Sequence, residues 1–384
     1  MISYYRHLAY FLTRDALPQN RDELTPWAMT LPYKLWDRVC RYEGKTFAEY
    51  YLGDLDALAL RRFFGSRSSY AALLVLWPAA AAFMAARHGR HALPQLRRGL
   101  ARPDLRLYFP ERWFSQQEAE TMRPDLLAGM YYAFEYTRSQ PDYLTLDNKR
   151  LFAELCREQE LPVPTEYTVD QARQLSEPVM VKDPQQDLGR GVFVRSPNEL
   201  DELDPGVDWI IQERLRNHSD LAALLPPDAA LSTARVITLV PRVGDPPQVS
   251  HFFLRLPRAG AVVDNFAAGG MVSRVDRATG MLTPAVTKQW PQPGSHFESH
   301  PDSGVLIKGA IAPLHCDVQA LCIDAHQRLA PDAPSIGWDV AMTPNGLRLL
   351  ELNFFAASFQ WEETEDAYAP LAEAILDRLH YGER

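Results

Sequence analysis

Cysteine is scarce in this chain. Cys40, Cys156, Cys316 and Cys322 are the only four in 384 residues, with no CxxC pair and no histidines placed beside them at zinc-ligand spacing. That excludes a disulfide framework and a zinc ribbon, and free thiols in a reducing cytosol are expected. Glycine is also modest at 20 residues, so the chain is no flexible low-complexity polymer. An excess of positive charge is missing too: 40 Lys and Arg face 49 Asp and Glu, for a net charge of -9, which leaves no electrostatic footprint for nucleic acid. The opening MISYYRHLAYFL lacks the basic start, apolar stretch and small-residue cleavage site of a secretory signal, so a cytoplasmic protein is expected. One long uncharged run exists, the 17 residues from Tyr70 to Ala86. It holds Pro78 and much alanine, and reads as a buried, kinked helix or as a membrane contact.

What is present points to an ordered globular chain. Hydrophobic residues at 46% and charged residues at 23% sit near globular averages, and 30 prolines imply many defined turns. The length fits two or three domains. Residues 1–140 read as helices with Pro and Gly punctuation and form an expected helical N-terminal domain. Within it Arg87 to Arg106 is basic, either an anionic-lipid or phosphate patch or a solvated linker. After Gln140 short apolar runs alternate with helices, so 141–215 and 216–384 are expected as two further α+β subdomains. A helix is predicted at Asn148–Glu160 and another at Ala312–Arg328. Strands are predicted at Val179–Lys182, Val192–Arg195, Trp209–Glu213, Ser232–Val240, Val249–Leu256, Ile336–Met342 and Leu347–Leu352, the last two joined by the tight turn TPNG.

Three constellations carry chemistry. Alternation along the last strand puts Glu351 and Asn353 on one face, and the TPNG hairpin lays Asp339 beside them. Three converging oxygen ligands suit a hard cation such as Mg²⁺, although acidic residues on an exposed hairpin would look the same. Lys182 ends an apolar strand and runs into a loop with Gly189, Arg190 and Gly191, a workable phosphate cradle or a plain hairpin with a surface lysine. The strand WIIQERL breaks into polar residues at Gln212, Glu213 and Arg214, followed by Leu215 and Asp220. Such a strand end can offer backbone groups to an adenine edge while a carboxylate takes ribose hydroxyls.

In this order and spacing the motifs resemble the ATP-grasp superfamily, over about Asp142 to Asn353. Lys149 in LDNKRLF matches the family's helix-leading lysine. Within the superfamily the chain resembles the sugar-transfer-associated group, related to α-L-glutamate ligases. Asp264-Asn265 with Gly269-Gly270, the segment SHPDSG, Ala325-His326, IGWD ending at Asp339, and Glu351-Leu352-Asn353 carry that likeness. The resemblance implies an ATP-grasp fold, two α+β subdomains clasping ATP, and an ATP- and Mg²⁺-dependent carboxylate–amine ligase working through an acyl phosphate. Small-molecule carboxylate and amine substrates are its implied partners. It also implies that Lys149 and Lys182 hold phosphates and that Asp339, Glu351 and Asn353 hold Mg²⁺. A buried-strand arginine, Arg235 or Arg255, would face the developing oxyanion, unless either is an ordinary salt bridge. Asn265 would line the phosphate or acyl pocket. His300 is a turn element or a general base.

Two departures fall near the substrate. Gly337 stands where many relatives carry an arginine two residues before the metal aspartate, and Asn353 is followed by Phe354-Phe355 rather than a Pro-Gly loop. Rival readings are a kinase on the same fold, and a non-catalytic, membrane-associated ATP-binding regulator.

Overall fold

The computed structural model describes residues 2–19, parts of 23–34, 66–72 and 74–76, residues 146, 148–183, 191–287, 294, 296–353, and 374, 377 and 378. The chain divides into two compact units, one of 1–140, 241–243 and 357–384, the other of 141–240 and 244–356. In the first unit, helix α1 (Ile2–Thr13) buries Tyr4, Leu8 and Phe11 on one side, at the spacing of a single helical face. The Tyr4 hydroxyl donates to the Leu74 carbonyl at 2.8 Å, and Tyr70 and Leu74 are buried while Val75 and Leu76 are exposed. Among the described residues no helix is long and apolar enough to cross a membrane. The remainder of the Tyr70–Ala86 run and the whole Arg87–Arg106 stretch lie outside the described residues, as does most of the expected helical N-terminal domain.

The second unit opens with α2 (Lys149–Glu158). Asn148 caps it, its side chain accepting from the Arg150 and Leu151 amides, so Lys149 is the first helical residue. The short α3 (Val169–Ala172) follows, closed by a Thr168–Gln171 capping box. Strands β1 (Val179–Lys182), β2 (Val192–Arg195) and β3 (Ile210–Glu213) form an antiparallel sheet in the order β2-β1-β3. Val179, Val181 and Ile211 pack with Ala172 and Leu200 in its core. By strand alternation that leaves Met180 and Lys182 on the other face.

After α4 (Ser219–Ala222) come β4 (Thr233–Leu239), β5 (Gln248–Leu256), β6 (Met271–Arg274), β7 (Ala285–Thr287), β8 (His296–Phe297), helix α5 (His315–Leu329), β9 (Ser335–Thr343) and β10 (Gly346–Asn353). They build a seven-stranded antiparallel sheet ordered β10-β9-β4-β5-β6-β7-β8. Strands β4 and β9 are central and buried along their whole length, which their Val, Ile, Trp and Thr content suits. Helix α5 covers one face, burying Val318, Cys322, Ala325 and His326.

Candidate active site

The face of β4 and β9 opposite α5 carries charge. Arg235 on β4 pairs in register with Asp339 on β9, and Asp339 pairs in turn with Glu351 on β10. Gly346, at φ +94°, takes the left-handed conformation that ends the TPNG turn. The hairpin then runs regularly from Gly346↔Thr343 to Leu349↔Val340, where a bulge skips Leu350 and delivers Glu351 to Asp339. Without that extra residue Leu350 would stand beside Asp339, and Glu351 would point to the other face. Asn353 lies opposite Gly337, one side-chain repeat further along the same face.

Both arginines named from the sequence converge on Asp339. Arg235 Nε lies 2.6 Å from Oδ1, and Arg255 Nη1 donates to Oδ2 at 2.8 Å. All three residues are buried. Burial works against the Asp339 carboxylate, but the two guanidinium groups outweigh it and hold its pKa below the ordinary value. Glu351 goes the other way: burial, then the neighbouring Asp339, push its pKa up against the pull of Lys149, Arg235 and Arg255. Lys182 feels burial first, and its pKa falls to about 8 although Glu351 and Glu166 draw it upward. Those mutual influences join Lys182 and Lys149 to the Asp339–Glu351 pair in one electrostatic cluster.

Among the described residues no three His, Cys, Asp or Glu side chains gather as a metal cluster. The donor set is two carboxylates and the Asn353 amide, hard oxygen ligands on adjacent strands. The set fits Mg²⁺: the crowded Asp339–Glu351 pair gains from a cation, and Asp339 Oδ1, with Arg235 Nε as its one arginine contact, keeps a lone pair.

The flap is closed at its base, where the Asp183 amide donates to the Gly191 carbonyl at 2.9 Å and Gly191 takes φ +66°. Gly189 and Arg190 lie outside the described residues. On β3, Gln212 is buried and bridges Glu166. The Glu213 amide donates to Thr165 O, and its carboxylate accepts from the Thr165 amide, both at 2.9 Å, so these groups tie β3 to the preceding loop. Leu215 follows β3 directly, and Asp220 sits on α4 with an exposed carboxylate near His218. The Asn265 carbonyl accepts from the Ala268 and Gly270 amides and closes a turn. His300 is fully buried; Nε2 donates to Pro257 O at 3.0 Å and Nδ1 accepts from the Asp302 amide at 3.2 Å. With both nitrogens engaged in holding loops, it is a turn element. A cavity of about 260 Å³ among Tyr167, Leu175, Pro178, Val179, Arg214 and Arg216 contains none of the ion cluster.

Two residues near the cluster went unnoticed in the sequence. Glu166 pairs with Arg150 and Arg157 and bears on Lys182, and Thr233 links Arg255 to a buried carboxylate. Neither carries a motif signal.

Residues 196–360 match the family described as sugar-transfer associated ATP-grasp. No curated protein matches the chain. Among solved structures, the N5-carboxyaminoimidazole ribonucleotide synthetase of Thermotoga maritima is 11% identical at a TM-score of 0.31, over 54% of this chain and 42% of that one. The present chain therefore spans less than half of that enzyme. The ATP-grasp ligase PsnB, complexed with a phosphomimetic variant of its minimal precursor, Mg and ADP, is 14% identical at 0.37, over 69% and 70%. The D-alanine-D-alanine ligase of Coxiella burnetii is 12% identical at 0.35, over 62% and 60%. The matched region, which holds β3, the seven-stranded sheet and the acidic β9–β10 hairpin, is thus similar to the sugar-transfer associated ATP-grasp family.

Proposed function

We propose that this protein is an ATP- and Mg²⁺-dependent ligase that joins a carboxylate to an amine. The observation that carries the reading is the convergence of Arg235 and Arg255 on Asp339 beside Glu351, with Lys149 and Lys182 in the same field. Transfer of a phosphoryl group to a carboxylate brings anions together, so the site has to supply positive charge in a dry setting. In this reading the carboxylate oxygen of the substrate attacks the γ-phosphorus, and ADP leaves. The amine nitrogen then attacks the acyl carbon, inorganic phosphate leaves, and the nitrogen gives up a proton.

Lys149 and Lys182 hold phosphate oxygens, with the flap beside Lys182 as the cover. Asp339, Glu351 and Asn353 hold Mg²⁺, which when bound neutralises phosphate charge. Arg255 and Arg235 face the oxyanion of the tetrahedral stage. The apolar residues Phe354 and Phe355 after Asn353 are where acceptor choice is expected to lie.

The test is product analysis. The full chain is incubated with Mg²⁺-ATP and pooled carboxylates and amines, and products are read by mass. A condensed product one water lighter than its two parents, formed with one ADP and one phosphate, is expected. A phosphorylated product without condensation would instead mean a kinase. Nucleotide binding without any turnover would favour a regulator.

A further inference from the structure

Arg255 has a second acidic neighbour besides Asp339. Asp264, buried in the loop between β5 and β6, accepts through Oδ2 from the Thr233 amide at 2.7 Å and the Thr233 hydroxyl at 2.6 Å. Thr233 Oγ1 in turn lies 3.4 Å from Arg255 Nη1, and Ser232 Oγ donates to the Arg255 carbonyl. The two arginines thus differ in their surroundings. Arg235 answers chiefly to Asp339, whereas Arg255 answers to Asp339 and Asp264 together.

The loop bearing Asp264 is built to keep it there. A Cβ on Gly270 would stand 2.2 Å from the Asp264 carbonyl oxygen and 2.8 Å from its carbon, so only glycine lets the chain close at this point. Gly269 takes φ +102°, and the Asn265 carbonyl accepts from the Ala268 and Gly270 amides. A buried carboxylate that serves no purpose would be costly, since its hydration is lost.

We propose that Asp264 is a positioning residue: through Thr233 it fixes the Arg255 guanidinium against Asp339, and the Gly269–Gly270 turn fixes Asp264. The part Arg255 plays in a reaction rests on the ligase reading; the placement of its guanidinium does not.

The test reads the placement directly. Full-length protein labelled with ¹⁵N-arginine is compared among wild type, Asp264→Asn, Thr233→Val and Thr233→Ser, with Arg235→Lys and Arg255→Lys assigning the side-chain N–H signals. The Arg255 signal is expected to move and its exchange with water to speed by about tenfold or more in Asp264→Asn and Thr233→Val. Thr233→Ser, which keeps the hydroxyl, is expected to hold the wild-type signal, and Arg235 is expected to stay put throughout. If Asp264→Asn does not fold, the two Thr233 variants decide alone. An unmoved Arg255 signal in Thr233→Val overturns the proposal. Where wild type condenses substrates, the same two variants are expected to lose about 10- to 100-fold in kcat with little change in the KM for ATP. Absence of any product from wild type counts against the ligase reading and leaves the exchange result standing.

Discussion

The two faces of β4 and β9 carry two buried polar networks of opposite character. On the α5 side, Thr238 Oγ1 lies 2.7 Å from His326 Nδ1 and accepts from Trp338 Nε1 at 2.8 Å, while His326 Nε2 donates to the Ala333 carbonyl at 3.1 Å. The carbonyl can only accept, so Nε2 carries the proton and Nδ1 takes the Thr238 hydroxyl. Every polar atom of this neutral trio has a partner, and all three residues are fully buried. Across the same strands, the Arg235–Arg255–Asp339–Glu351 cluster is charged and imperfectly balanced: Glu351 is pushed toward its neutral form, and so is Lys182. A satisfied network fixes a core, whereas an unbalanced one keeps charge in reserve for a ligand, at a cost in stability.

Breaking the charged side outright is expected to have the largest effect. Asp339→Ala leaves two buried arginines without their shared partner, a loss of about 3–5 kcal/mol in urea unfolding. Next comes Glu351→Gln, which sharpens the contrast because activity and stability should part. Condensation is expected to fall by about 100-fold or more, yet the variant should be no less stable than wild type. The folded pKa of Glu351 lies above its unfolded value, so wild type binds the extra proton when folded. Its stability relative to the Gln variant is therefore expected to fall as pH rises from about 4.3 through the raised value, and to level off above it.

A third prediction concerns Lys182, whose pKa of about 8 leaves it partly neutral in mildly alkaline solution. Bound phosphate favours its charged form, so nucleotide affinity is expected to weaken above pH 8, by up to about tenfold per unit. Calorimetry in buffers of differing ionisation enthalpy should show proton uptake on ADP binding there; a pH-independent affinity would remove Lys182 from the phosphate site. The smallest effect is on the neutral side. Thr238→Val strands the His326 and Trp338 groups and is expected to cost about 1–3 kcal/mol, with kcat/KM close to wild type.

Much of the sheet framework was legible in the sequence. Strands β1 and β2 fall where apolar runs end in Lys182 and Arg195, and the TPNG turn announces the β9–β10 hairpin. Strands β7 and β8 escaped because they are three and two residues long, too short for alternation to register, and β6 because its apolar pair Met271-Val272 gives way at once to Ser273 and Arg274. The candidate site was legible as a set of residue types and not as an arrangement. Arg235 and Arg255 read as rivals, yet pairing of β4 with β5 and β9 makes them partners on one carboxylate. The bulge at Leu350 that brings Glu351 alongside Asp339 leaves no mark in composition. Asp264 reaches Thr233 across 31 positions of chain, a contact that only the folded sheet creates.

The most direct measurement sets wild type beside Glu351→Gln at pH 8, with urea unfolding and Mg²⁺-ATP-dependent condensation recorded on the same preparations. The variant is expected to be at least as stable as wild type and to form no condensed product. A variant that loses stability as Thr238→Val does, or that keeps turning over, would contradict it.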